Sequence, residues 1–314
     1  MSAAAAADSR PEPAPEPAPG GAASRVRAPR RGGMAWRHFG DTRAFLTSPQ
    51  LLLLQVAHPV VGAGVEDHSD FRAEPWQRLF RTVGSLGAVI YGGQSAATAE
   101  ARRLLEVHRE MKGVDAQGRR YHALHPEAYH WVHATLVRGP VDALRLFGKG
   151  MSQRQVEEYY REMRDVGRVW GLREHHLPPD WASFCAYYDA MVEDRLEMNP
   201  SVRDVLDELA RPQKPPVWWV PGPLWRPFAA LAAHCALLVT VGLLPPVLRR
   251  RLGLTWTARQ QRRLRRFARL VRCLMAPVPP PLRIAPAMFL AYWHTHRPGT
   301  DPRTRRPLGE SYHD

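Results

Sequence analysis

Apolar residues recur at helical spacing along most of the chain. Ser48-Pro49 opens a segment carrying Leu51 to Leu54 that ends near His58-Pro59; it is apolar on most sides and reads as a buried helix. Asp41 or Thr42 starts a shorter helix before it. Pro75 sits in the first turn of a helix with Leu79, Val83, Leu86 and Ile90 on one face. Ala96 to Met111 reads as the next helix, closed by Gly113 as a C-cap. Further helices are predicted over Pro126–Val137, ended by Gly139-Pro140, over Ser152–Trp170 with a Ser152/Gln155 capping box, and over Asp180–Met198, stopped by Asn199-Pro200. No alternating strand with paired turns stands out. The pattern predicts an all-α fold, a single globular, bundle-like helical domain over residues 34–290.

Both ends depart from this pattern. Residues 1–33 hold an Ala run, Pro-Glu-Pro-Ala repeats and then Arg25, Arg27, Arg30 and Arg31, a composition for a disordered, solvated tail without the apolar core of a secretory signal. Residues 291–314 form a C-terminal tail. Residues 211–227, rich in Pro and Trp, read as an extended connector. Phe228 to Leu244 is almost wholly apolar, but at ~1.5 Å per residue it reaches about 25 Å, short of a ~30 Å hydrocarbon core. A buried core helix and a helix dipping into a membrane are the two readings open to it.

With 314 residues, 45% of them hydrophobic, the chain can bury a sizeable core, and a mostly disordered or polytopic membrane protein is excluded. Cys185, Cys235 and Cys273 share no ligand spacing, which argues against a disulfide scaffold or zinc module and for a reducing, cytoplasmic setting. The net charge of +14 is concentrated at the C-terminal end: residues 245–314 hold 15 Arg against Asp301, Glu310 and Asp314, a net of +12. Seven of these arginines fall within a helix predicted over Thr255–Leu274, around a stripe of Leu264, Phe267 and Val271. A basic, membrane-surface-associated or nucleic-acid-binding protein is thus one class to weigh. No recognised nucleic-acid motif is present, so lipid is the better-matched partner and no nucleic acid is expected.

Three segments place polar residues where helices should bury apolar ones. Arg78, Arg81, Thr82 and Ser85 share a helix face; guanidiniums and a hydroxyl there suit an anion or a polarised oxygen, or form a solvated face. Leu104, His108 and Met111 share another face, which turns His108 toward the core. A buried imidazole needs a partner, either a hydrogen bond or a metal, and haem iron takes a single histidine. His122, His125, His130 and His133 form a dense group, with His130 and His133 at i,i+3 spacing but no matching carboxylate; His58 and His68 add to it. A zinc-protease signature, a phosphate-binding loop and a Gly-x-Ser-x-Gly elbow are all absent.

Read in order, Leu54-Gln-Val-Ala-His-Pro59, Asp67-His-Ser69, Arg78-Leu-Phe-Arg-Thr82, Val107-His108 to Gly113, Tyr121-His-Ala, Trp131-Val-His133, Tyr159-Tyr-Arg-Glu-Met163, Leu177-Pro178 and Leu243-Leu-Pro-Pro-Val-Leu-Arg249 resemble the family of latex-clearing rubber oxygenases and the MpaB-type oxygenase. The resemblance spans roughly residues 36–290. It implies a helical fold around one b-type haem, His108 as the iron ligand, and Arg78 and Thr82 on the opposite side of the ring. Arg81 stands where the rubber oxygenases have a distal Lys, and a guanidinium cannot readily ligate iron. Glu66 is a loose match for their acidic residue. His133 is a further cofactor-binding candidate, and His133 or His58 would be the substitute ligand. The resemblance also implies dioxygen and a lipophilic, isoprenoid or alkene substrate as reaction partners; peripheral contact of the basic Arg259–Arg272 helix with a membrane would bring such an enzyme to its substrate.

Overall fold

Helices in this chain begin where a short polar side chain can take up a free amide. Asp41 accepts from the Arg43 amide, Asp180 from Ser183, Asn199 from Val202, and Ser152 and Thr257 form reciprocal capping boxes with Gln155 and Gln260. A computed structural model describes residues 27–68, 74–214 and 222–284. Among these the fold is all-α, with thirteen α-helices and one two-stranded ribbon. Most of the predicted N-terminal tail, the 291–314 tail and residues 215–221 of the Pro/Trp-rich connector lie outside the described residues; residues 222–227 of that connector are helical rather than extended.

Four short helices, α1 (Met34–His38), α2 (Thr42–Phe45), α3 (Ser48–Val56) and α4 (Pro59–His68), lead into a long pair, α5 (Pro75–Tyr91) and α6 (Gly93–Glu110). An antiparallel ribbon follows, β1 (Lys112–Val114) on β2 (Arg120–His122), with Gly113 opposite Tyr121. The rest is helical: α7 (Pro126–Phe147), α8 (Gln153–Val169), α9 (Trp181–Asp194), α10 (Pro200–Ala210), α11 (Gly222–Leu243), α12 (Pro246–Arg251) and α13 (Ala258–Met275).

The main core gathers Leu53 and Leu54 of α3, Val89 and Ile90 of α5, Trp131, Ala134 and Val137 of α7, and Tyr159 and Met163 of α8. Trp131 is fully buried, and its indole N–H donates to the Leu54 carbonyl at 2.9 Å. Burial of that ring contributes about 2–3 kcal/mol, provided the N–H is satisfied, as it is. A second, smaller core joins Phe147, at the end of α7, to Leu238 and Val239 of α11 and Leu264 and Ala268 of α13.

Three sequence expectations need correction. The helix expected to stop at Gly139-Pro140 continues to Phe147 with Pro140 inside it. Both residues are buried, and the bare Cα of Gly139 gives room to Leu51, whose Cδ2 would lie 2.5 Å from a Cβ there; packing outweighs the lost hydrogen bond. Gly113 is not a C-cap: α6 ends at Glu110, and Gly113 lies in β1 under the Tyr121 ring. Asn199-Pro200 does not end the preceding helix, which stops at Asp194, but starts α10. The ribbon was not anticipated, because strands of three residues are too short to show alternation.

The apolar 228–244 run forms most of α11. Its second half is buried, while Phe228 and Leu231 are exposed. No helix among the described residues is long and apolar enough to cross a membrane.

Candidate functional site

Helices α5 and α6 are joined at Gly92 and Gly93. Gly93 has φ +74°, a left-handed conformation that glycine adopts without strain. The chain reverses there, so positions whose numbers sum to about 185 face one another. Arg78 on α5 and His108 on α6 are therefore level, each roughly 20 Å from the turn at ~1.5 Å per residue. Both lie toward the open end of the hairpin.

His108 is largely buried, and burial holds its pKa below the usual imidazole value. Its Nδ1 lies 2.7 Å from the Leu104 carbonyl one turn back. A carbonyl only accepts, so Nδ1 carries the proton and Nε2 keeps the lone pair. The ring edge packs on Tyr129 of α7 at 5.7 Å between centroids. Arg78 is also largely buried; desolvation and the neighbouring Arg81 bring its pKa down to about 10, so it stays charged at neutral pH. Arg81 and Thr82 are exposed, Ser85 is buried, and Leu79 and Phe80 are exposed beside them. The helical period had put Leu79 on the packed face, but in the first turns of α5 that face is uncovered.

The ribbon borders this end. The Tyr121 hydroxyl makes a short hydrogen bond to Asp67 at the end of α4. Glu66 is exposed and near enough to raise the Tyr121 pKa. His68 packs edge-on to Tyr121 at 6.2 Å.

The other imidazoles are elsewhere. His133 is fully buried, with Nε2 bonded to the Met163 carbonyl at 2.8 Å and its edge against Trp170. Its Nδ1 is buried without a hydrogen-bond partner. Gly167 closes over it: a Cβ there would lie 3.1 Å from Nε2. His130 stacks on Tyr187 at 4.3 Å. Desolvation pushes His133 down to about 4 and His130 down to about 3. His58 reaches Glu127 through Nε2 at 3.3 Å. Among the described residues no three His, Cys, Asp or Glu converge in a group that could hold a metal. Arg78 and His108 thus lie at similar heights on neighbouring helices, while His133 belongs to the α7–α8 interior.

Sequence reasoning missed Tyr129, the aromatic wall of His108, although its place four residues after His125 on an amphipathic helix was a usable signal. It also missed an open cleft of about 720 Å³ bounded by His125, His130, His175, His176 and Tyr187. The adjacent pairs His175-His176 and Pro178-Pro179 were the only hint of it.

A helical scaffold that turns one neutral imidazole inward, level with a buried guanidinium, is an arrangement suited to oxygen chemistry. Residues 36–273 match the family described as the ER-bound oxygenase mpaB/B'/rubber oxygenase catalytic domain, and the chain belongs to that family. It is an oxygenase-class enzyme, an oxidoreductase that acts with dioxygen on an organic substrate. Two relatives, both described only as uncharacterized proteins, come from Mycobacterium tuberculosis and Mycobacterium bovis. Each is 29% identical over 217 residues, covering 68% of this chain and 81% of the relative. No solved structure matches the chain.

Proposed function

We propose that the protein is a b-type haem-dependent oxygenase acting on a lipophilic substrate, an isoprenoid or another alkene. The observation that carries this reading is the state of His108: a partly buried, neutral ring with Nδ1–H pinned to a backbone carbonyl and no partner for the Nε2 lone pair among the described residues. Metal-ligating histidines are commonly oriented through such a bond on the second nitrogen. The surroundings suit a macrocycle, since Leu104, Tyr129, Leu79 and Phe80 supply apolar surface at the same end of the hairpin.

His108 would hold the group, with Arg78 and Thr82 as the polar residues contributed by the neighbouring helix α5. When bound, haem supplies the electron chemistry that activates dioxygen. The chain's own residues do the rest. Arg78 keeps its positive charge near neutral pH and stabilises negative charge developing on oxygen; Thr82, one turn further along α5, adds a hydroxyl donor. Arg81 stays protonated and offers charge but no iron ligand. The exposed apolar side chains of Leu79 and Phe80 offer a surface on which a hydrocarbon substrate can settle.

The test is a visible spectrum of the protein expressed with haem supplementation, recorded with and without dithionite. A Soret band that shifts on reduction, and that His108→Ala abolishes, is the expected result. A colourless wild-type protein overturns the reading; a band that survives His108→Ala moves the ligand to His133 or His58.

A further inference from the structure

No Asp or Glu occurs between Glu208 and Asp301. The described part of this stretch is not neutralised from elsewhere in the fold. On α13, Arg259, Arg262, Arg263, Arg265, Arg266 and Arg269 are all exposed, and none forms an ion pair or hydrogen bond among the described residues. Elsewhere several arginines have acidic partners within reach: Arg103 is paired with Glu100, Arg119 with Asp115 and Arg168 with Glu174. Only the inward face of α13 is held, through Leu264 and Ala268.

Large apolar side chains lie on the same surface. Leu264 approaches the bare Cα of Gly242, its Cδ2 2.5 Å from where a Cβ would be, and Leu238 and Val239 pack with Leu264 and Ala268. Helices α11 and α13 are therefore antiparallel, and facing positions have numbers summing to about 506. That pairing brings Phe228 and Leu231, at the start of α11, beside the last turns of α13, which carry Leu270 and Leu274. Each of these four keeps more than half of its surface exposed. A monomer rarely leaves such a cluster uncovered without a use for it.

From this combination we infer that the α11–α13 end of the molecule docks on an anionic lipid bilayer. The outward guanidiniums of α13 meet headgroup phosphates, and Phe228, Leu231, Leu270 and Leu274 enter the boundary between headgroups and acyl chains. Nucleic acid would use the charge but gain nothing from four exposed apolar side chains. A second copy would bring like charge against like charge. The chain's own residues 285–314 hold four Arg against three acids and cannot neutralise the face. The inference does not depend on haem: a variant that leaves the bilayer keeps its visible spectrum.

Sedimentation of the full chain with phosphatidylcholine vesicles, and with vesicles of phosphatidylcholine and phosphatidylglycerol, tests it. Binding is expected only to the anionic vesicles. Replacing Arg262, Arg266 and Arg269 with Gln is expected to weaken binding on the order of 100-fold, since each basic residue near such a surface contributes roughly fivefold. The Leu270→Ser/Leu274→Ser variant is expected to keep its thermal melting point, bind several-fold less, and release completely in high salt. Equal sedimentation with both vesicle types overturns the inference. So does anionic-vesicle binding indifferent to the three arginines, or tight binding to a DNA duplex with none to anionic vesicles. A dimer in light scattering that the leucine variant dissociates, without any vesicle binding, also overturns it.

Discussion

His108 and His133 are chemically alike and structurally opposite. His133 is fully and His108 partly buried, both are held neutral by desolvation, and both donate one ring N–H to a backbone carbonyl. His108 uses Nδ1 on its own helix, which leaves Nε2, the nitrogen furthest from the backbone, at the open end of a helix pair. His133 uses Nε2 across the core to Met163, which leaves the near nitrogen walled in beside Trp170 and Gly167. The lesson is that burial and neutrality do not make a ligand; which nitrogen the scaffold consumes decides what the other can reach.

The sharpest way to break the comparison is to exchange the losses. His108→Ala is expected to remove haem retention entirely while shifting the melting midpoint by only a few degrees. His133→Ala is expected to keep the Soret band but cost about 2–4 kcal/mol in chemical denaturation, through the cavity and the stranded Met163 carbonyl. If His133→Ala bleached the protein and left its stability intact, the two roles would be reversed.

Acid probes the interior side. Above pH 6.5 folded and unfolded chains both carry neutral imidazoles at positions 130 and 133, and nothing is lost. As the pH falls from 6.5 to about 4, the unfolded chain takes up protons that His133 in the folded state refuses, so stability drops; His130 extends the loss toward about 3. The expected loss by pH 4 is about 3 kcal/mol from His133. His133→Gln, which retains a donor but does not titrate, should flatten the curve between pH 6.5 and 4. An unchanged slope would show that His133 is not the group responsible.

A smaller effect is expected from Gly167→Ala. The added methyl would sit 3.0 Å from Leu177 Cδ2 and 3.1 Å from His133 Nε2, so a loss of about 1–3 kcal/mol is expected with the haem spectrum unchanged. Smallest is Thr82→Ala. Its side chain is exposed, so stability should stay within about 0.5 kcal/mol. Turnover should fall roughly fivefold for the loss of one neutral hydrogen bond. Turnover equal to wild type would remove Thr82 from the site.

Local signals in the sequence were legible, and long-range ones were not. Ser152 with Gln155 and Pro75 announced helix starts because capping and proline geometry act within one turn. His108 was readable as inward-facing because Leu104 and Met111 share its stripe. The partner of His133 was not, since Met163 is 30 residues away on another helix. Gly139-Pro140 misled for the same reason: as a local signal it ends a helix, and only Leu51, far back in the chain, shows why the helix continues. Arg81 and Thr82 were placed on the expected face of α5, but their exposure depends on how much of that helix its neighbours cover.

Pro140 has one further consequence. Helix α7 enters both cores: Trp131 and Val137 lie in the larger one and Phe147 in the smaller. Proline has no amide, so the rung to the Leu136 carbonyl is missing at the crossing between the two. Fraying that starts at the Phe147 end meets a gap before it meets Trp131. Hydrogen exchange along α7 should therefore fall into two blocks, the distal one opening with α11 and α13 while the half that carries Tyr129 stays protected.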